Sequence, residues 1–474
     1  MPQIPVLEGI YTNTDDGFRV SYPRNMTPVV LYTGISQGFL KPAEGIKTIT
    51  KDLPGMDRGG INFNGVCYRV AGNQLIRVDQ DNTFTTIGEV AENNDPFARL
   101  DYSFDYLSIS SGGNLYLFNK DTEVLQQVMD DDLLTVVDHI WIDGYFMTTD
   151  GEFLVVTELN DPFSVLATKY GSSEVDSDPV LALLKLRNEP YALNRYTIEV
   201  FSNVGGTGFP FQRIDGGHIQ RGTVGTFACC VFNNDLLAFV GGGRNEPISV
   251  WFGANASSTK IATREVDLIL AEFTEEQLSQ VLVESRIIES HQFLYIHLPD
   301  RTLVYDHLAS QQAQTPVWHV LSSGIGISQY RARNFVYCYN RWLVGDARAS
   351  QLGSLTPSVS THFNEVVEWQ VATPILYNET NGGLIHEIQL LISKLKLSGI
   401  STLARIHTDY SRNGTDYSAP RATKVYANSY RSSKRVTWMC QGNIRQKRIQ
   451  RFSGTSDVMP HIAAIDFRIE PLAV

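Results

Sequence analysis

The chain has 474 residues, 43% of them hydrophobic and 11% aromatic, with 19% charged and a formal net charge of −12. So low a charged fraction beside so much apolar material excludes disordered, collagen-like and coiled-coil classes. The length predicts two or three domains, or one large repetitive β domain with an appendage.

The N-terminus, Met1-Pro2-Gln3-Ile4-Pro5, has no basic region followed by an apolar one, and no run reaches the roughly 18 apolar residues of a membrane span. The expectation is a chain with neither a signal peptide nor a membrane-spanning segment. Prolines at positions 2, 5, 23, 28 and 42 make residues 1–50 read as an extended arm. Within it, Gly34-Ile35-Ser36-Gln37-Gly38 matches the nucleophile-elbow pattern, which needs a helix after the serine. Phe39-Leu40-Lys41-Pro42 follows instead, so the segment reads as a turn.

From residue 66 onward the same unit recurs: a short apolar strand, a Gly or Asn turn, and a second strand. Val66 to Val70 pairs with Leu75 to Val78, Tyr106 to Ile109 with Leu115 to Phe118, and Tyr145 to Met147 with Phe153 to Val156. Leu75, Leu115 and Leu154, which open the second strands, lie 40 and 39 positions apart. Weaker copies begin at Tyr191, Leu236, Phe293 and Trp342. Six or seven hairpins at this spacing fit propeller blades better than unrelated antiparallel sheets. Strands apolar on both faces, as in Phe293 to Leu298, suit blades that pack on blades. Glu272 to Ser285 breaks the pattern and predicts one short inserted helix, with Thr274 and Gln277 as a capping box.

After Pro357 the strands lengthen and alternate, as in Val366 to Val371, Ile385 to Ile392 and Ile465 to Ile469. The predicted fold is therefore all-β: a β-propeller of six or seven blades over residues 51–357, then a β-sandwich over 358–474 that the N-terminal arm joins.

Candidate chemistry is sparse. Asp79-Gln80-Asp81-Asn82 begins like a calcium loop but lacks the later glycine and glutamate. Asp130, Asp131 and Asp132 are adjacent, so their side chains diverge rather than converge on an ion. His291 and His297 fall on one strand face about 20 Å apart, too far to share a metal. The five cysteines are odd in number and lack CxxC spacing, and they read as reduced apolar fillers. Ser411 to Tyr417 resembles the structural turn of sialidase-type hairpins. No catalytic set, metal or cofactor is expected.

Charge is placed unevenly. Residues 79–178 hold 21 acids and 3 bases, whereas residues 417–456 hold 9 bases and no acid. The basic stretch comprises Arg421, Lys424, Arg431, Lys434, Arg435, Arg445, Lys447, Arg448 and Arg451, interleaved with Tyr426, Tyr430 and Trp438. It fits a docking face for an acidic partner, contact with nucleic acid, or a solvated face.

Glu289 to Pro299, Leu303 to Asp306, Trp318 to Leu321, Arg58-Gly59-Gly60, Tyr22 to Met26 and the capped helix after Thr274 together resemble the tail accessory, packaged-DNA-stabilising proteins of short-tailed bacteriophages, also called tail nozzle or hub proteins. The matches run in the same order from about residue 20 to 325. The resemblance implies a structural virion protein, not an enzyme. It implies a hexameric ring below the portal and its adaptor that closes the packaged head, carries the tail needle, seats tailspikes or tail fibres, and conducts double-stranded DNA with only transient, non-specific contact. It places the protein in the virion tail, made in the bacterial cytoplasm, and supplies no catalytic residues.

On this reading an acidic wall repels passing DNA. Residues 79–178, with Asp130, Asp131 and Asp132, are expected at the channel or exposed rim. Arg431, Lys434, Arg435, Arg445, Lys447, Arg448 and Arg451 are expected at an inter-subunit or adaptor contact. A glycan-binding or glycan-hydrolysing propeller is the alternative.

Overall fold

In the computed structural model the described residues are 3–4, 22–30, 38–92, 96–377, 382–397, 404–425, 434–444 and 447–472. Seven antiparallel sheets follow one another from residue 57 to 356. In blade 1, for example, Asp57–Phe63, Val66–Ala71, Gln74–Val78 and Phe84–Glu89 pair in chain order. Each hairpin anticipated from the Gly and Asn turns forms the middle pair of a blade.

A second set of turns, between the first and second strands of each blade, helps the repeat form. Asn64-Gly65 and Asp143-Gly144 have two positive φ values each, the backbone of a two-residue turn whose twist matches its strands. Arg187-Asn188, Glu289-Ser290 and Tyr339-Asn340 adopt the same conformation without glycine. Between the turns the strands bury both faces: the neighbours Leu75 and Ile76, Leu303 and Val304, and Leu343 and Val344 point to opposite sides of their sheets and are all 0% exposed. Each such side chain contributes about 1.5–3 kcal/mol on leaving water.

The first strands of successive blades touch in a closed cycle, and Ala332–Cys338 of blade 7 returns to Asp57–Phe63 of blade 1. Blade 7 has only three strands of its own, and its fourth is Gly45–Thr50, paired on Leu352–Thr356. The described part of residues 1–50 is thus not one arm. Gly45–Thr50 closes the propeller, while Met26–Val30 and Gly38–Pro42 enter the sandwich.

The sandwich sets Met26–Val30, Gly38–Pro42, Val458–Pro471, Gly383–Leu397 and Lys434–Ile444 against a second sheet of Glu368–Ala372, Lys447–Thr455, Ala404–Ser411 and Arg421–Val425. Met26, Leu40, Trp369, Ile388, Phe452 and Phe467 form its core.

Three helices occur among the described residues, not one: Arg264–Leu270, Glu275–Ser279 and His307–Ala313. The capping box of Thr274 and Gln277 is present. The helix ends at Ser279, however, because the apolar residues that seemed to continue its face, Val281 and Leu282, lead into the first strand of blade 6. No helix among the described residues is long and apolar enough to cross a membrane.

Candidate assembly surfaces

The propeller axis is filled at one end. In blade 5 the inner strand is broken into Gly222–Thr223 and Cys229–Phe232, and the intervening residues carry Phe227 inward. Its ring centroid lies 5.1 Å from that of Phe97 at the start of blade 2. Arg99 of blade 2 stacks on the same ring at 4.9 Å and donates to the Thr226 carbonyl at 2.8 Å. Arg333 of blade 7 covers Phe97 at 5.4 Å. Blades 2 and 5 stand on opposite sides of a seven-membered ring, so these contacts cross its centre. An axis crossed by these packed side chains leaves no open passage through the single propeller.

Acidic residues of the 79–178 segment divide into two kinds. Asp138 is buried and holds Arg99 at 2.9 Å while accepting from the Leu183 amide. Burial raises its carboxyl above the ordinary range, and Arg99 opposes that rise. Asp121, Asp131, Glu152 and Asp161 are exposed.

The predicted triplet Asp130, Asp131 and Asp132 does not line the propeller axis. It lies on the linker from blade 2 to blade 3. Asp130 accepts from the amides of Asp132 at 2.9 Å and Val165 at 3.0 Å, and Tyr170 donates to the Asp132 carbonyl. The linker is thereby tied to the outer strand of blade 3, Asp161–Ser172, on the flank of the molecule.

The basic stretch also divides. Arg448 is 1% exposed, donates to Gln450 and to the Gln441 carbonyl, and stacks on Tyr410 at 3.9 Å. Desolvation lowers its pKa to about 10. Arg451 makes a two-pronged pair with Asp409 at 2.8 and 2.6 Å and covers the Tyr417 ring at 3.5 Å. Both fasten the second sheet internally. Lys447 is half-buried, and Lys434 opens the strand Lys434–Ile444. Arg431 and Arg445 lie outside the described residues. Arg421, Lys424 and Arg435 are exposed where the two sheets meet. There Arg421 donates to the Cys440 carbonyl at 2.8 Å, and Trp438 donates to the Arg421 carbonyl at 3.2 Å. Arg405, outside the stretch read from sequence, faces Lys424 across the strand pair. The alternating register of Ala404–Ser411 is the signal that would have found it.

The other candidates resolve locally. Asp81 accepts from the amide and hydroxyl of Thr83, which is turn chemistry and no ion cage. His291 and His297 pair separately with Asp306 at 2.7 Å and Glu284 at 3.0 Å. Asn413 accepts from the amides of Thr415 and Asp416 and closes the Ser411 to Tyr417 turn. Gly34 to Gln37 lie outside the described residues.

The seam between the domains is stitched by the N-terminal segment. Val320 of blade 6 accepts from the Asn25 amide and donates to the Pro23 carbonyl, while Arg24 and Gln370 of the sandwich exchange two backbone bonds. Arg24 also pairs with Glu368 at 2.5 Å. Beside this stitch lies a cavity of about 250 Å³, lined by Lys41, Arg286, His291, His319, Tyr330 and His461 among others.

Two family models cover most of the chain: "Bacteriophage P22 Gp10, beta-propeller" over residues 2–360 and "Bacteriophage P22 Gp10, beta-sandwich" over residues 368–470. The chain is similar to the "Tail hub protein gp10" of Salmonella phage P22, with 25% identity over 468 residues, 94% of each chain. Among solved structures it is similar to the N-terminal domain of Nup159, at TM-score 0.42 and 6% identity, covering 71% of this chain and 98% of that one. It is also similar to the Pan2 WD40 domain of Neurospora crassa, at TM-score 0.41 and 12% identity, covering 66% and 92%.

Proposed function

Because the chain belongs to the bacteriophage P22 Gp10 family, a β-propeller followed by a β-sandwich, we infer that it is a tail hub protein of a short-tailed phage. It resides in the virion tail and acts as a structural protein rather than an enzyme. One observation carries this reading: the similarity to the phage P22 tail hub protein extends through both domains and spans 94% of either chain.

The finer reading is a homo-hexameric ring below the portal and its adaptor. It closes the head after packaging, retains the genome, and serves as the conduit on ejection. Tail needle and tailspike or tail fibre are its further partners, and its contact with DNA is transient and non-specific. The filled propeller axis favours a conduit formed between subunits, with each propeller as a rigid stave. A surplus of exposed acids on such a stave repels a duplex and keeps it from adhering.

Electron microscopy of the purified full-length protein mixed with its portal adaptor tests the ring. Six-fold rings are the expected result. Monomers that fail to bind the adaptor overturn the reading.

A further inference from the structure

The two charged surfaces differ in more than sign. On the sandwich edge, Arg405 stands directly opposite Lys424, and both are exposed. Like charges paired across two strands destabilise the pair. Among the described residues no carboxylate lies in ion-pair range of either one, whereas nearby Arg451 has Asp409. Exposed Arg421 and Arg435 share the edge, and beside them Met439 presents 59% of its surface to water.

The flank of blades 2 and 3 is the counterpart. Met129 is 82% exposed, Leu166 47% and Val124 46%, among the exposed carboxylates of Asp121, Asp131 and Asp161. The bond from the Val165 amide to Asp130 holds the linker and the outer strand of blade 3 together as one surface. Exposed apolar side chains within a strongly charged patch mark an interaction surface better than charge alone does.

The sandwich packs on blade 6 of its own chain, through the segment that joins Val320 to Gln370. Blades 2 and 3 stand on the far side of the propeller, so the edge and the flank of one molecule do not meet. We propose that the sandwich edge of Arg405, Lys424, Arg421 and Arg435 docks on the acidic flank of blades 2 and 3 of a second copy of this chain. The contact is head to tail, joining different surfaces of identical chains, and such contacts generate rings when the rotation closes. Charge complementarity selects the partner and the Met129 and Met439 side chains supply apolar contact. The inference rests on the hub reading and names the surfaces through which the hub is built.

The test uses the full-length protein under the conditions in which the wild type gives rings, with mass photometry as readout and circular dichroism as the folding control. Arg405→Glu with Lys424→Glu should cut the ring fraction by more than about tenfold. Asp121→Lys with Asp131→Lys should do the same. All four changes in one chain should restore rings. Rings that persist in either double variant, or a quadruple variant that stays monomeric though folded, overturn the placement and leave the hub reading standing. Loss of affinity for duplex DNA with rings unchanged assigns the edge to nucleic acid and likewise overturns it. A wild type that forms no ring, even with its adaptor, sinks the hub reading itself.

Discussion

Asn334 donates its side-chain amide to the Asp57 carboxylate at 2.7 Å, and through this bond the last blade of the propeller grips the first. Asp57 also holds Arg69 of its own blade at 2.7 and 2.9 Å, with both side chains fully buried. A Cβ on Gly345 would fall 2.1 Å from the same carboxylate. Asp57→Ala leaves Arg69 charged and unpaired in the interior, which costs about 3–5 kcal/mol. Urea unfolding followed by tryptophan fluorescence should show that loss, and Gly345→Ala should lower the midpoint as well. A midpoint within error of wild type for Asp57→Ala would remove the pair from the account of closure.

Arg448 and Arg435 look alike in sequence and differ in placement. Arg448→Ala strips Gln450 and the Gln441 carbonyl of a buried donor, at a cost of about 2–4 kcal/mol. Arg435→Ala removes an exposed side chain with one bond to Gln389, and stability should stay within about 0.5 kcal/mol of wild type. Thermal melts of the two variants side by side decide the matter. Equal destabilisation contradicts the division of the basic stretch.

His139, His319 and His362 are buried, and desolvation lowers each from the ordinary 6.5 to about 3. The unfolded chain takes up protons at these sites near pH 6.5, and the folded chain does not until about pH 3. Between those values the unfolded state binds more protons, so stability falls as pH falls. Each histidine contributes up to about 1.4 kcal/mol per pH unit across that window. Melting midpoints should drop from pH 7 to pH 5, and His139→Gln should flatten the slope. A midpoint unchanged down to pH 5 rules the effect out.

Asn25 sits at φ 55 and bonds with Ser322 through both side-chain functions and with the Glu368 carbonyl, so it touches propeller and sandwich at once. Asn25→Ala loses three bonds and strains the left-handed backbone. The domains should then melt as two calorimetric transitions where wild type shows overlapping ones. A single unshifted transition in the variant counts against the stitch.

The blades were legible because their middle strands are apolar and their turns carry Gly or Asn. Outer strands such as Val124–Gln127 are half exposed and polar, so only the seven-sheet topology reveals them. The closing strand Gly45–Thr50, with Lys47 and Thr48 at its centre, offers no apolar run, and its partner lies some three hundred residues away. Turns such as Glu289-Ser290 and Tyr339-Asn340 hide their left-handed backbone behind ordinary residues. The helices Arg264–Leu270 and His307–Ala313 carried their own signals, in the caps Thr263 and Asp306. Charge arithmetic found the basic region but not the burial of Arg448, since formal charge is blind to what a strand register turns inward. Nor could hydrophobic patterning show Phe227 meeting Phe97, a contact made by a break in an inner strand.

Closure by Gly45–Thr50 sets the order in which this protein becomes finished during synthesis. The strand leaves the ribosome early and must wait, unpaired along one edge, until residues 352–356 arrive. Met26–Val30 and Gly38–Pro42 wait longer still, since Val458–Pro471 is among the last strands made. A chain broken off midway therefore completes neither domain and keeps open strand edges that recruit chaperones, proteases or other fragments. Only a chain that carries both the early strands and their late partners completes the two domains, so the topology itself withholds incomplete subunits from assembly.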